Sequence, residues 1–83
     1  MSKALGSAEL HSRALQRIRD GQLPCRKPEH VWAGSGTGAS CALCDERIQG
    51  STVEFEVELR HPQVIVTFDQ ECFKVWEAEC GRA

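Results

Sequence analysis

The sequence lacks any apolar run near the ~18 residues that a membrane-spanning helix needs. Its first ten residues also lack the continuous apolar stretch of a secretory signal, so we expect no leader peptide and a cytoplasmic location. No nucleophile–base pair and no nucleotide-binding motif is present, and we therefore expect no enzymatic activity. The 83 residues suffice for one domain at most, and a core of that size is only marginally stable by itself.

A positive net charge is missing as well. The chain carries a net charge of −2, and this charge is divided unevenly along the sequence. Residues 1–33 contain six basic and three acidic side chains, whereas residues 34–83 contain four basic and nine acidic ones. An acidic body suits phosphate backbones poorly, so nucleic acid is disfavoured as a partner.

The cysteines number five, and an odd number fits a framework of disulfides poorly. In a reducing cytoplasm, cysteines serve more often as metal ligands or buried thiols than as disulfides. We therefore expect the five cysteines to be ligands or buried thiols.

Residues 1–33 are predicted to form an amphipathic helix and a linker. The helix is expected over residues 7–20, with Ser7 or Gly6 as its N-cap and Gly21 just past its end. Apolar residues at helical spacing form its inner stripe, namely Leu5, Ala8, Leu15 and Ile18, widened by Leu10 and Ala14. Residues 21–40 are expected to be irregular, with Val31 and Trp32 anchoring them to the core.

Residues 34–83 are predicted to form a second unit. A Gly-rich connector leads into Cys41-Ala-Leu-Cys44, after which apolar residues alternate with glutamates over residues 53–59. A turn follows, and then a strand rich in β-branched residues over 64–68, so the two strands form an antiparallel hairpin. Residues 69–80 are expected to form the closing helix, with Asp69 as its N-cap. The predicted fold class is α+β.

The candidate metal ligands are the two cysteines of a Cys-x2-Cys turn and an Asp-x2-Cys pair at the start of the closing helix. Asp69 and Cys72 are three residues apart and therefore share one face of that helix. The hairpin returns the chain to its starting point, which brings Cys41 and Cys44 close to this pair. Zinc accepts four ligands tetrahedrally, and three thiolates with one carboxylate form an admissible set. The pattern predicts a zinc site made of Cys41, Cys44, Asp69 and Cys72.

Two alternatives for this site stay open. Zinc can have another fourth ligand, for which Cys25, His30 and a water molecule are the candidates. The site can also have lost its metal, in which case Asp69 acts only as the N-cap and the cysteines pack as small apolar groups.

Other potential ligands are too distant from the Cys-x2-Cys turn. His61 lies at the far end of the hairpin, and Cys80 lies about 12 Å along the helix from Cys72 at ~1.5 Å per residue. We expect Cys80 in the core and both His61 and His11 at the surface.

The order of Cys-x2-Cys turn, hairpin and helix resembles a treble-clef zinc finger, similar to half of a LIM module. It is also similar to small bacterial zinc-finger-like proteins of no firm function, in which Cys-x2-Cys precedes Val-Glu-x-Glu and then Phe-His-x2-Cys-x3-Trp. The matching residues are Cys41, Cys44, Val53-Glu54-Phe55-Glu56, Phe68-Asp69, Cys72 and Trp76. The resemblance covers about residues 32–80, and it departs from the pattern at Asp69, where histidine is expected.

The function predicted from these features is that of a small cytoplasmic protein-interaction module with a structural zinc site or its relic. Two charged surfaces are the candidate binding sites for a protein partner or a second copy of the chain. They are a basic surface of Arg13, Arg17 and Arg19 and an acidic surface of Glu54, Glu56 and Glu58. One alternative is a nucleic-acid-binding regulator that uses the basic helix, and another is a thiol redox protein that uses Cys41 and Cys44.

Overall fold

The fold comprises two helices and a three-stranded antiparallel sheet. The computed structural model describes residues 6–82. The elements are α1 (Ser7–Arg19), β1 (His30–Ser35), β2 (Val53–Leu59), β3 (Val64–Asp69) and α2 (Gln70–Arg82). The strands lie in the order β1-β2-β3. The predicted α+β class, with a hairpin between an N-terminal and a C-terminal helix, is confirmed.

Helix α1 begins and ends as its sequence predicts, but it buries a different face. The backbone N–H of Gly6, its N-cap, donates to Oε1 of Glu9, and Gly21 follows the helix with a φ of 80°. The fully buried residues are Leu10 and Ala14, whereas Ala8 is exposed. Leu10 and Ala14, which were predicted at the margin of the apolar stripe, therefore form the middle of the buried face. The prediction is wrong for Ala8, because α1 packs on α2 through the side that carries Leu10. Leu15 and Ile18 are half-buried, and Leu5 lies outside the described residues.

Strands β2 and β3 form the predicted hairpin, with Phe55 opposite Phe68 and Val57 opposite Val66. Residues opposite each other in such a pair point to the same face, so these four side chains form one apolar face. Helix α2 covers that face. Phe55 stacks on Phe73 with ring centroids 4.4 Å apart. Burying each such side chain stabilises the fold by about 1.5–3 kcal/mol.

Helix α2 lies between the sheet and α1 and supplies the centre of the core. Trp76 is buried, stacks on Phe68 at 5.3 Å and donates a hydrogen bond from Nε1 to the backbone oxygen of Pro24 at 2.9 Å. That bond satisfies the one polar atom of a large buried side chain. It also fixes the linker after α1 against α2.

Strand β1 was not predicted, and residues 30–35 are not irregular. They pair with β2 in an antiparallel register that sets Trp32 opposite Glu56. All six residues of β1 are exposed. The expectation that Val31 and Trp32 anchor this segment in the core is wrong, since their exposed fractions are 42% and 50%. The strand is held by backbone pairing rather than by buried side chains, and it includes residues of both predicted units.

The Gly-rich connector after β1 packs closely against the chain that follows the Cys-x2-Cys turn. The backbone N–H of Gly36 donates to Thr52 and that of Gly38 to Ile48, each at 2.9 Å. A Cβ atom on Gly36 would overlap the carbonyl oxygens of Gln49 and Ile48. Glycine is therefore required at position 36 by close approach of two backbones.

Within residues 6–82, neither helix combines the length and the apolar character needed to cross a bilayer.

Candidate metal centre

The Cys-x2-Cys segment forms a tight turn that is fixed to the sheet. The N–H of Asp45 donates to the oxygen of Cys41, and the N–H of Cys41 donates to the oxygen of Glu46, both at 2.9 Å. Asp45 takes a φ of 66°, a left-handed conformation that aspartate tolerates in turns. The N–H of Ala42 then donates to the oxygen of Thr67 at 2.8 Å. This bond places the turn beside the last residues of β3.

Asp69 lies where β3 ends and α2 begins, and its carboxylate has two different contacts. Oδ1 accepts a hydrogen bond from the backbone N–H of Cys72 at 2.8 Å, which is the N-cap interaction expected for aspartate. Oδ2 faces the sulfur of Cys44 at 3.5 Å. The carboxylate therefore caps the helix with one oxygen and points the other at the cysteine turn.

The structure brings all four predicted ligands together. One ligand atom from each of Cys41, Cys44, Asp69 and Cys72 lies within 4.8 Å of the other three. The three cysteines are not disulfide-bonded, and none of the four residues is more than 8% exposed. The elements that meet here are the cysteine turn, the end of β3 and the first turn of α2.

The dimensions and chemistry of this cluster fit a zinc ion. A tetrahedral centre with Zn–S bonds of about 2.3 Å and a Zn–O bond of about 2.0 Å separates sulfur from oxygen by about 3.5 Å. That is the separation between the Cys44 sulfur and Asp69 Oδ2. Three thiolates are soft ligands, which favour zinc over magnesium or calcium. Four protein ligands would fill the coordination shell.

The thiols of Cys41 and Cys72 are coupled to each other. The hydrogen bond from the Cys72 side chain, assisted by backbone N–H groups of the turn and of Asp69, outweighs burial and lowers the pKa of Cys41 to about 6. The same hydrogen bond and burial raise the pKa of Cys72, as do the nearby charges of Cys41, Asp69 and Cys44. A metal ion bound here would displace the thiol protons, because cysteine binds metal as the thiolate.

The basic residues of α1 contact the cysteine turn. Arg17 donates to the backbone oxygen of Ala42 at 2.6 Å, and Arg13 donates to that of Leu43 at 3.4 Å. Both guanidinium groups also pair with Asp45, at 2.9 and 3.2 Å. The hydrogen bond from Arg17 is the main reason why the pKa of Asp45 lies below its usual range. Of the three predicted binding arginines, Arg19 lies exposed, away from these contacts.

The three glutamates of β2 do not form a uniformly solvated surface. Glu54 and Glu58 are each only 7% exposed, whereas Glu56 is exposed. Thr37 donates to Oε1 of Glu54 from both its N–H and its hydroxyl, at 2.8 and 2.9 Å. Gln63 donates to Glu58 at 2.6 Å. The loop after β1 and the turn of the hairpin therefore cover two of the three side chains.

Two candidates for another fourth ligand lie elsewhere. Cys25 forms a disulfide with Cys80, their Cα atoms being 5.4 Å apart, so the expectation of ligands or buried thiols is wrong for this pair. The disulfide forms because the tertiary structure brings the linker after α1 back to the last turns of α2. His30 lies on β1 and stacks on Trp32 with centroids 5.4 Å apart.

His11 has a specific contact that its sequence position did not indicate. Its Nδ1 lies 2.6 Å from Oε2 of Glu79, a residue only 4% exposed. His11 is thus half-buried between α1 and α2 rather than an ordinary surface residue. His61 is exposed in the turn after β2, as expected.

Comparisons of the chain with protein-family models, curated proteins and solved structures found no match.

Proposed function

We propose that this chain is a small protein-interaction module of treble-clef type whose hairpin and second helix are joined by a structural zinc ion. The observation that carries the proposal is the convergence of four buried ligand atoms within 4.8 Å. The order of cysteine turn, hairpin and helix supports the treble-clef assignment. Cys41 and Cys44 would hold the ion from the turn, and Asp69 and Cys72 would hold it from the start of α2.

A structural role fits this centre better than a catalytic one. Catalytic zinc keeps one coordination position open for water or substrate, whereas structural zinc has four protein ligands. Here four ligands are at hand and all are buried. Zinc bound in this way would stabilise the fold, since structural sites in small domains have apparent binding energies of ~10–16 kcal/mol. We therefore propose a binding function without catalysis.

The proposed interaction role rests on the contacts of the basic side chains and on the burial of the thiols. Arg13 and Arg17 contact the cysteine turn, which leaves less of the basic surface for a phosphate backbone. Cys41 is 1% exposed, and a buried thiol is poorly placed to react with a partner in solution. The lowered pKa of Cys41 favours the redox alternative, but the burial of this thiol opposes it. A protein partner or second copy therefore stays the proposal. The cytoplasmic location stays a prediction, although a disulfide such as Cys25–Cys80 persists better in oxidising compartments.

The test is the metal content of the purified chain. We expect one zinc per chain by elemental analysis and a fall in melting temperature on chelation. Cys72→Ser should lose the zinc. The double variant Cys25→Ser/Cys80→Ser, which removes two cysteines outside the cluster, should retain it. A parent chain that takes up no zinc on reconstitution, and melts at the same temperature with and without chelator, would contradict the proposal.

A further inference from the structure

The two outer edges of the sheet differ in how they are covered. The N–H of Ala42 donates to Thr67 of β3, so the cysteine turn lies against that edge. Strand β1 pairs with β2 on one side, and within residues 6–82 no strand pairs with its other side. In an antiparallel ladder every other residue of such a strand turns its N–H and C=O outward. The edge of β1 therefore offers backbone groups to which an extended segment can bind.

The sheet face opposite α2 carries an exposed aromatic residue next to this edge. Trp32 is 50% exposed, and its ring stacks on that of His30. On β3, Ile65 points to the same face and is 56% exposed. A large exposed tryptophan on a regular strand is typical of a contact surface, because such residues dominate binding energies.

A small cavity beside Trp32 has the chemistry of a site for a cationic side chain. Its volume is about 120 Å³, and its lining includes Trp32, Gly34, Thr37, Glu54 and Glu56. Aromatic faces attract cations, and carboxylates form the stronger, charge-assisted hydrogen bonds with guanidinium or ammonium groups. Thr37 fixes Oε1 of Glu54, and no group in the described part of the chain donates to Oε2. An acidic cavity walled by a tryptophan is complementary to arginine or lysine.

Gly34 gives access to this cavity from the edge. It lies on β1 directly opposite Glu54 of β2, and a Cβ atom placed on it would meet nothing within 4 Å. A strand added beside β1 would lie about 4.8 Å away. A long side chain on that strand can therefore cross the backbone of Gly34 and reach the carboxylates.

We infer that β1 binds an extended basic peptide segment, which adds to the sheet as a fourth strand and directs an arginine or lysine over Gly34 to Glu54 and Glu56. The inference rests on the proposed interaction role and specifies its partner. The cavity and the metal cluster use different residues, although Glu54 lies directly opposite the proposed ligand Asp69 in the pairing of β2 with β3.

The test uses a blocked peptide of alternating valine and threonine with one central arginine, titrated into the full chain and followed by NMR of the backbone amides. We expect the largest shifts in β1 and a binding affinity at least about tenfold higher than for the same peptide with glutamate at the centre. Replacing the central valines by proline, which removes backbone donors, should abolish binding.

Variants of the chain separate the cavity from general electrostatics. Glu54→Gln/Glu56→Gln and Trp32→Ala should each weaken binding of the arginine peptide severalfold. Glu77→Gln, which removes an exposed charge from α2, should leave it unchanged. Equal affinity for the arginine and glutamate peptides, or no shift in β1 at millimolar peptide, would overturn the inference. So would sedimentation showing a dimer whose interface is β1, because a second copy would then occupy the edge.

Zinc content measured on the same samples distinguishes the two proposals. A chain that contains zinc but does not bind the peptide would overturn this inference and support the structural zinc site. A chain that binds the peptide but contains no zinc would support this inference and contradict the structural zinc site.

Discussion

The carboxylate of Asp69 contacts Cys72 through one oxygen and Cys44 through the other. Oδ1 accepts from the backbone N–H of Cys72 at 2.8 Å, and Oδ2 lies 3.5 Å from the sulfur of Cys44. The sequence suggested a choice between an N-cap and a metal ligand at this position. The geometry makes the two roles compatible, because a carboxylate has an oxygen for each.

Substitutions at Asp69 should separate these roles. Serine can still cap α2 but cannot reach the thiols, and alanine can do neither. We expect both Asp69→Ser and Asp69→Ala to lower zinc affinity by more than about tenfold. In the zinc-free state, Asp69→Ala should be less stable than Asp69→Ser by about 1 kcal/mol, because only alanine loses the cap. Chelator competition and urea unfolding measure the two effects. Parent-like zinc affinity in Asp69→Ser would show that the carboxylate is no ligand.

Alanine substitutions should distinguish two glycines that are two residues apart. Gly36→Ala places a methyl group against the backbone oxygens of Gln49 and Ile48, whereas Gly34→Ala meets open space. Overpacking of this kind costs about 1–3 kcal/mol, and here rigid backbone cannot move aside easily. We expect Gly36→Ala to unfold at markedly lower urea concentration and Gly34→Ala to remain close to the parent. Equal stability of the two variants would contradict the close approach.

The pairing of Asp45 with Arg13 and Arg17 should depend on pH. The pKa of Asp45 is lowered from its ordinary value of 3.8 in the folded chain, so its stabilising effect is complete above that value. The effect is lost as the pH falls through the folded pKa. Asp45→Asn should therefore be less stable at neutral pH by about 0.2–1 kcal/mol, a modest value because the side chain is 63% exposed.

The Asp45 comparison is made by urea unfolding of parent and variant at neutral pH and again well below the usual carboxyl range. Contributions of the thiols cancel in the difference between the two proteins. The difference should vanish in acid. A difference that persists unchanged in acid would rule out the ion pairs as its source.

The Cys25–Cys80 disulfide should add to stability without affecting the cluster. The two residues are 55 positions apart, and closing a loop of that length is worth about 4 kcal/mol in the chain-entropy model. Cys25→Ser/Cys80→Ser should lower the free energy of unfolding by about 2–4 kcal/mol and leave the zinc content unchanged. Alkylation in denaturant with chelator should label three thiols before reduction and five after it. Five labelled thiols without reductant would contradict the bond.

The predictions from sequence succeeded where a local pattern determines the structure. Alternation over residues 53–59 indicated the hairpin, and the three-residue spacing of Asp69 and Cys72 indicated a shared helix face. The convergence of Cys41 and Cys44 with Asp69 and Cys72 then followed from the return of the chain.

Features that depend on distant contacts were not predictable in this way. Strand β1 has no alternation of burial, since all six of its residues are exposed and backbone pairing alone defines it. The burial of Glu54 depends on Thr37, which lies in a loop of no recognisable pattern. Disulfide connectivity cannot be deduced from cysteine spacing alone, so the pairing of Cys25 with Cys80 was missed.

The nearness of Cys25 to Cys80 also means that the sheet, the cysteine turn and α2 form a closed circuit of chain. With Cα atoms 5.4 Å apart, the segment from 25 to 80 begins and ends at one place. Helix α1 lies outside that circuit and is attached to it through a single connection. Cleavage of the backbone in the exposed turn at His61 would leave the two fragments covalently joined through the sulfur bridge.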